Sequence, residues 1–237
     1  MNIVRMPQAL REAKDLHGVY DDFPWYISPH LWTATLTDSG TVVAAGVGGI
    51  ATLTSSDGSV ADNDESYLAT TNALFKPAAN KPLYAEALIQ FTEAATDDAN
   101  VAFGLASSVG ANLILDDGAG LRASGTVVAI YKVDGDTAWR FVTRNGGDVT
   151  VSQSQESAGG ASYQQLGIEV LDAFGSYATC VPTIDGRLMR DAVTGQPIRH
   201  QLLLTGLAAA SLFVGAKNGG ANLETTNVDY AGCWQAR

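Results

Sequence analysis

Residues 126–151 carry the feature that most restricts the fold, a run of three apolar segments separated by two short turns. The segments TVVAIYKV, AWRFVT and DVTV are rich in Val, Ile, Tyr, Trp and Phe, which favour β-strands. The turns contain Asp134-Gly135 and Asn145-Gly146, and such pairs tolerate the positive φ angles of hairpin turns. The pattern predicts an antiparallel three-stranded meander.

Two further segments alternate between apolar and polar residues, as half-buried strands do. Residues 82–94 predict the longest strand, with Glu86 on the face opposite its apolar side chains. Residues 165–170 predict another, with Gln165 and Glu169 opposite the apolar face. The apolar members of the two strands are Ala85, Ala87, Ile89 and Phe91 in the first, and Leu166, Ile168 and Val170 in the second.

The C-terminal third continues the same pattern. Asp185-Gly186 has the composition of a hairpin turn. At the end of the chain, residues 222–234 predict a closing strand, which we expect to place Val228, Tyr230 and Trp234 on one face. The chain has 237 residues, 25 of them Gly, and only 16% are charged, which suits a single turn-rich sandwich or barrel of antiparallel strands.

Residues 1–40 differ from the rest, so we predict an N-terminal arm (1–40) followed by a β-sandwich domain (41–237). Pro7 and Gly18 suit the start and stop of a short helix over residues 8–16. The following segment is rich in proline and aromatic residues. Either it folds back and plugs one end of the sandwich, or its aromatics anchor on a neighbouring subunit, because Trp and Tyr dominate interface energetics. The candidate interface residues are Phe23, Trp25, Tyr26 and Trp32.

The charge of the chain argues against nucleic acid as a partner. The formal net charge is −11, and residues 51–120 hold ten acidic residues against Lys76 and Lys81. Such a surface repels phosphate backbones. Taken singly, each of these acidic residues is expected to serve solubility.

Cysteine content and hydropathy set further bounds. Cys180 and Cys233 are too few for a disulfide framework, and their strand-like surroundings predict buried free thiols unless their strands are neighbours. Residues 1–15 have no apolar core segment, so we expect no secretory signal and folding in the cytoplasm. The longest nearly apolar run, residues 202–216, is shorter than the ~20 residues that span a bilayer, so we expect no membrane association.

Motifs for cofactors and metals lack their required context. Residues 46–51 match G-x-G-x-x-A, but strand-like and turn-like residues follow where a dinucleotide site needs a helix. The carboxylate-rich turn at 62–65 lacks the glycine and distal glutamate of a calcium loop. The carboxylate pairs at 97–100 and 116–118 stand in turns where Asp and Asn are the usual residues. We therefore expect neither a cofactor nor a metal. The three histidines have no metal-ligand spacing and are expected to be surface or capping residues: His17, His30 and His200.

Catalytic motifs are missing as well. Glycosidases need two carboxylates at a defined separation, yet neither Glu86 nor Glu169 has an acidic residue two positions away on its own strand. The sequence contains neither G-x-S-x-G nor H-E-x-x-H. We therefore predict a non-enzymatic protein with no catalytic residues.

Several segments in a fixed order carry a resemblance. PLYAEALIQF, VAFGLAS, the TVVAIYKV meander, the VPTIDGRLM hairpin, SLFVGAKNGG and NVDYAGCWQ follow one another along the chain. Their order resembles the concanavalin A-like (laminin-G and glucanase type) jelly roll over residues 51–237. The resemblance implies an antiparallel jelly-roll β-sandwich, and the chain lacks the carboxylate motif of the enzymes with this fold.

A second resemblance is to virion structural proteins of tailed bacteriophages. The segments DNDESYL, KPL and DDANVAFGL carry it. It implies a capsid decoration (cement) protein that binds the major capsid protein on the outside of the head, as a homotrimer or homodimer. The alternative is a carbohydrate-binding module of a tail or fibre, for which Trp139, Tyr163 and Tyr177 are candidate sugar platforms.

Overall fold

The structure, a computed structural model, describes residues 15–25, 30–37, 40–44, 48–56, 60–93, 95–159 and 162–237. These residues form sixteen β-strands and no α-helix. The larger sheet contains β1 (Leu16–Asp21), β3 (Thr41–Ala44), β4 (Ala51–Thr54), β6 (Leu83–Thr92), β11 (Gln164–Phe174), β12 (Tyr177–Ile184), β13 (Arg187–Leu188), β14 (His200–Leu203) and β16 (Thr225–Ala236). The smaller sheet contains β2 (Trp32–Leu36), β5 (Glu65–Thr70), β7 (Ala99–Ala106), β8 (Thr126–Lys132), β9 (Ala138–Asn145), β10 (Asp148–Ser157) and β15 (Ser211–Asn218).

The two sheets form an antiparallel sandwich in which the chain crosses repeatedly from one sheet to the other. The larger sheet has the order β13-β12-β11-β6-β16-β4-β3, with β1 beside β16 and β14 beside β12. The smaller sheet has the order β10-β9-β8-β7-β15-β5-β2. β6 therefore lies in the middle of the larger sheet, between β11 and β16. The prediction of an all-β sandwich is confirmed.

The core lies between the sheets and is built from alternate residues of the strands. The inward side chains of β6 are those that the alternation predicted, and β7 and β8 contribute theirs from the smaller sheet. Burying each Val, Leu, Ile or Phe side chain stabilises the fold by about 1.5–3 kcal/mol. Central members of this core are Ala85, Ala87, Ile89, Phe91, Val101, Phe103, Leu105, Val128 and Ile130.

The predicted turns join the predicted strands. β8, β9 and β10 form a meander in which Thr126 pairs with Asn145, and Asp148 pairs with Asn145 in turn. Asp185 (φ 49°) and Gly186 (φ 73°) connect β12 to β13. Two successive positive φ angles are those of a type I′ turn, which Asp-Gly adopts readily.

The N-terminal segment departs from the sequence-based expectation. Most of the predicted helix lies outside the described residues, and Leu16 begins β1 instead of ending a helix. β1 pairs with β16 and β2 pairs with β5, so the described part of residues 1–40 contributes one strand to each sheet. The sheets thus begin well before residue 41, because backbone pairing to β16 and β5 satisfies this segment's N–H and C=O groups.

A second, smaller apolar cluster covers the outer face of the smaller sheet. Leu113, Ile114 and Leu121, from the loop of residues 107–125, pack on outward side chains of the strands beneath them. The strand residues of this cluster are Tyr67, Ala69, Ala102, Ala106, Val127, Ala129, Tyr131, Val142 and Phe213. The loop therefore covers the central strands of this face, while Val151 on the edge strand β10 stays 48% exposed.

A buried lysine fixes that loop to the sheet. The Lys217 side chain is fully buried, and its Nζ donates to Asn112 Oδ1 (2.9 Å) and the Ile114 carbonyl (3.1 Å). Nζ also pairs with Asp116 and lies 3.6 Å from Glu65 Oε2. Because a buried charge is costly unless it is paired and hydrogen-bonded, these contacts hold the loop closely in place.

Cys180 and Cys233 are both buried free thiols. Burial raises the pKa of Cys180 to about 12 and that of Cys233 above its usual range. They stand on β12 and β16, which β11 and β6 separate, so the strands are not neighbours and the condition for a disulfide bridge is not met.

Within the described ranges, the chain forms no helix with the length and hydropathy that a membrane crossing requires.

Candidate ligand-binding surface

Four aromatic side chains cluster on the outer face of the larger sheet, and we call Tyr20, Tyr84, Tyr230 and Trp234 the aromatic patch. Trp234 stacks between Tyr20 and Tyr84, with ring centroids 6.1 Å from each. Tyr20 also lies 5.9 Å from Tyr230. The Tyr20 side chain is 51% exposed, Tyr230 and Trp234 are half-buried, and Tyr84 is buried. The cluster therefore offers aromatic surface to solvent.

A β-bulge turns two of these rings outward. β16 pairs Val228 with Ile89 and Tyr230 with Leu88, so Asp229 is an extra residue in the ladder. A bulge shifts the alternation of the strand that carries it. Val228 consequently points into the core, whereas Tyr230 and Trp234 lie on the outer face. The expectation that all three residues share one face is wrong, because alternation read from the sequence assumes an unbroken ladder.

Two glycines allow the Trp234 indole to lie flat on the sheet. In the β1–β16 ladder Gly18 pairs with Trp234, and Tyr20 pairs with Gly232. A Cβ atom at Gly18 would stand 2.7 Å from Cδ1 of the indole, and one at Gly232 would stand 2.6 Å from Cη2. Both distances are closer than carbon atoms approach. Any larger residue at either position would push the ring away from the sheet.

Glu86 lies beside these rings in the middle of the sheet. In the ladder it faces Gly232 on one side and Gly167 on the other. It is fully buried, and its Oε2 accepts hydrogen bonds from Tyr84 Oη (2.8 Å) and Gln165 Nε2 (2.9 Å). Among the described residues, its Oε1 has no hydrogen-bond partner. Burial raises the pKa of Glu86, and the two hydrogen bonds oppose that shift.

A second carboxyl group stands close by on the neighbouring strand. β11 places Glu169 opposite Tyr84, one diagonal step from Glu86. Diagonal neighbours on adjacent strands are about 7–8 Å apart, within reach of long side chains. Burial raises the pKa of Glu169, while Arg199 lowers it. Searching each strand for acidic residues two positions apart missed this pair, because it forms between strands.

The tyrosines of the patch are held in their protonated form. Burial raises the pKa of Tyr84 and Tyr230, and the negative charge of Glu86 adds to both shifts. The pKa of Tyr20 is also raised, by burial and then by Asp22 and Asp229. Their hydroxyl groups are therefore hydrogen-bond donors at neutral pH. The patch combines rings, hydroxyl donors and carboxylate acceptors on one open face.

The interface candidates in the N-terminal segment occupy different environments. Phe23 and Trp32 are 1% and 3% exposed, and their rings lie 5.5 Å apart in the core. Asp21 fixes both, accepting from Trp32 Nε1 and from the Phe23 amide, each at 2.8 Å. Trp25 is 70% exposed and so is available to a partner. Tyr26 lies outside the described residues.

The candidate sugar platforms are also dispersed. Trp139 is fully buried in the core, where its Nε1 donates to Gln164 Oε1 (3.1 Å). Tyr163 is half-buried. Tyr177 is 42% exposed at the start of β12. Gly167 pairs with Glu86 on one side and with Thr183 of β12 on the other, so Tyr177 lies several residues along β12 from the position level with Glu86. Trp139 and Tyr177 stand apart from the aromatic patch, whereas Tyr163 lies near its border, because burial and then the Asp229 carboxylate raise the pKa of Tyr163.

His200 is not a surface residue, contrary to expectation. It is 3% exposed, its ring lies 4.8 Å from that of Phe141, and its nitrogens contact Thr143 Oγ1 (3.3 Å) and Ser152 Oγ (3.0 Å). Burial lowers its pKa to about 4, so the ring is neutral at pH 7. It joins β14 of the larger sheet to β9 and β10 of the smaller one.

Several acidic residues between 51 and 120 also have structural partners instead of serving solubility alone. Glu65 and Asp64 are 2% and 4% exposed. Glu65 accepts the Asn112 amide (2.8 Å), and Asp64 Oδ2 accepts the Ala61 amide (2.8 Å). In the part of the chain that the structure describes, no three His, Cys, Asp or Glu side chains are grouped so that they could hold a metal ion.

No protein-family model and no curated protein matches the sequence. Solved structures match its fold. The carbohydrate recognition domain of Emp47p superposes with a TM-score of 0.58 at 10% identity, covering 95% of this chain and 99% of that one. An endo-1,3-β-glucanase from Streptomyces sioyaensis gives a TM-score of 0.57 at 14% identity, covering 94% and 97%.

The lectin UEA-II complexed with galactose gives a TM-score of 0.60 at 9% identity, covering 93% of this chain and 99% of the lectin. At such identities the likeness shows the fold alone. The fold is therefore a concanavalin A-like jelly-roll sandwich, as the first resemblance implied. None of these three structures is a virion protein, so they lend no support to the second resemblance.

Proposed function

We propose that this chain is a non-catalytic carbohydrate-binding protein and that the aromatic patch is its binding surface. The observation that carries the proposal is the exposed ring of Tyr20 stacked on Trp234 beside the carboxyl groups of Glu86 and Glu169. Lectins and a carbohydrate recognition domain share the fold. That likeness supports the proposal without assigning a sugar.

The chemistry of the patch suits a sugar ring. Aromatic rings offer large rigid apolar area at low entropic cost, and polar groups around them fix orientation. Here the C–H face of a sugar would lie on Tyr20 and Trp234. Its hydroxyl groups would meet the side chains of Glu169 and Gln165, which are both half-buried on the same face.

A matched pair of tyrosine variants tests this proposal. We expect Tyr20→Ala to weaken binding of a glycan selected from an array by about tenfold, since one stacked ring contributes roughly 1–2 kcal/mol. Tyr177→Ala is the control, because Tyr177 is similarly exposed but lies on β12, away from the patch. Calorimetric titration with the selected glycan measures both affinities. Equal affinities for the two variants would show that the binding surface lies elsewhere. An array without binders would contradict the proposal.

A glycoside hydrolase is the second candidate, favoured by the carboxyl groups of Glu86 and Glu169 on one face and by the fold of the glucanase. We rank it below binding because Glu86 is fully buried and hydrogen-bonded to Tyr84 and Gln165, and so cannot reach a substrate. Release of reducing sugar from β-glucans that Glu86→Gln abolishes would reverse this ranking.

The role of capsid decoration protein stays a prediction, together with its partner, the major capsid protein, its homo-oligomeric state and its place on the virion exterior. Density-gradient fractionation of particles tests it. Co-migration with the major shell protein at comparable copy number would support shell decoration. Recovery at low copy number with tail proteins would instead support a carbohydrate-binding protein of the tail or fibre.

A further inference from the structure

We propose that the aromatic patch selects sugars that carry a free, protonated amino group, such as oligomers of glucosamine, over their N-acetylated counterparts. This inference rests on the proposed function and names the ligand class of the same surface. It stands on three features of the outer face: the charges around the rings, the unpaired oxygen of Glu86 and the accessible ring faces.

The charges around Tyr20 and Tyr230 are acidic, whereas the cation Arg199 acts on Glu169 of the neighbouring strand. Asp22 and Asp229 act on Tyr20, and Glu86 acts on both Tyr20 and Tyr230. Asp22 follows Tyr20 by two residues, just after the end of β1, and Asp229 is the bulge residue next to Tyr230. Asp22 is exposed and Asp229 is half-buried, so both carboxylates are open to a ligand beside the rings. This acidic rim of Asp22 and Asp229 attracts a cationic sugar, has little effect on a neutral sugar and repels an acidic one.

Glu86 adds an acceptor without a donor. A buried polar atom with no partner is costly and rare in native proteins, yet Glu86 Oε1 has none among the described residues. Its other oxygen is bonded to Tyr84 and Gln165, so the carboxyl group lies on the outer face. Because the side chain is fully buried, a ligand does not bond this oxygen directly; the ionised carboxylate instead adds negative charge beneath the rings, which favours an ammonium group over their outer face.

The rings supply the third feature. A cation over the face of Trp or Tyr is attracted by the ring quadrupole, and the attraction increases when the site is partly desolvated. Tyr20 is 51% exposed and stacks at 26° to Trp234. An N-acetyl group removes the positive charge and so removes both this attraction and the pairing with Asp22 and Asp229.

Calorimetric titrations with glucosamine and N-acetylglucosamine oligomers of matched length test the inference. At about pH 6 the free amine is protonated, and we expect the glucosamine oligomer to bind about tenfold more tightly, the sum of one cation–π contact and one exposed ion pair. The preference should shrink at high salt, because exposed charges are screened. Asp22→Asn combined with Asp229→Asn removes the charges with little change of shape and should reduce the preference severalfold while leaving the N-acetylated oligomer unaffected.

The outcomes separate this inference from the proposal on which it rests. If both oligomers bind equally and Tyr20→Ala weakens both while Tyr177→Ala does not, the proposed binding surface stands and amine selection is wrong. If neither oligomer binds and the glycan array shows no binder, both the proposed function and the amine selection are wrong. A tenfold preference that survives unchanged in the double variant would also overturn the inference, because the acidic rim would then not be its cause.

Discussion

Glu86 and Glu169 project from neighbouring strands on the same face of the larger sheet, and Tyr84 lies beside both. Tyr84 donates its hydroxyl hydrogen to Glu86 and pairs across the ladder with Glu169. Burial raises the pKa of each carboxyl group. The sheet therefore concentrates acidic and aromatic groups at its centre, where most sandwich domains place solvated polar residues.

Glu86→Gln should make the protein more stable at alkaline pH. A carboxyl group whose pKa is raised in the folded state stabilises the fold fully only below its unfolded pKa, and that contribution is lost as the pH rises through the folded pKa. Because the pKa of Glu86 is raised, the advantage of the variant should grow between about pH 5 and pH 8. Urea unfolding at both pH values measures it. Asp148→Asn, at an exposed position, is the control, and a pH-independent difference for Glu86→Gln would contradict the expectation.

His200→Gln should remove an acid sensitivity. The pKa of His200 is lowered from 6.5 to about 4 in the folded protein. Since the unfolded chain takes up this proton first, the folded state loses stability as the pH falls from about 6.5 to about 4, by up to roughly 3 kcal/mol. We expect the parent to lose more stability than the variant over this range in thermal or urea unfolding. His30→Gln, at an exposed position, should behave as the parent does, and a parallel loss in His200→Gln would show that other groups cause the sensitivity.

Lys217→Met should destabilise the protein by about 3–5 kcal/mol, because removing one member of a buried ion pair leaves the other charge unpaired. Glu65 is the group left behind, at 2% exposure. The loop of residues 107–125 should also loosen, so that trypsin cuts faster at Arg122. Adding Glu65→Gln should recover part of the loss. Lys76→Met is the matched control at an exposed site, and a loss of stability equal to that of the control would contradict this role for Lys217.

Gly232→Ala should displace the Trp234 ring. The new Cβ would stand 2.6 Å from Cη2 of the indole, and overpacking of this kind costs about 1–3 kcal/mol. We expect the ¹⁹F resonance of 5-fluorotryptophan at position 234 to shift and glycan affinity to fall, with the fold retained. Gly147→Ala, where no atom lies within 4 Å of the new Cβ, should leave both unchanged. An unchanged resonance in Gly232→Ala would show that the indole does not lie flat on the sheet.

Features that local chemistry determines could be predicted from the sequence. Asp185-Gly186 supplies the positive φ angles of its turn without help from the rest of the chain. The alternation of residues 165–170 correctly places Gln165 and Glu169 opposite the core residues Leu166, Ile168 and Val170. Such signals are independent of which strand becomes the neighbour.

The candidate site depends on information that the sequence does not display. The pairing of β6 with β11 sets Glu86 beside Glu169, and pairing between strands distant in sequence has no local signature. The bulge at Asp229 inverts the faces of Tyr230 and Trp234 and has no distinctive residue type. Burial of His200 depends likewise on strands from both sheets.

The loop of residues 107–125 has a consequence for how the molecule can be used. It covers the central strands of one broad face with the chain's own apolar residues, while the opposite face carries the exposed Tyr20. The two faces of the domain are therefore not equivalent. Attached to a carrier through the face that the loop covers, the domain would expose its aromatic patch. Attached through the opposite face, it would bury the patch against the carrier. Linker placement, more than linker length, would decide whether a tandem array or a coated particle can capture its ligand.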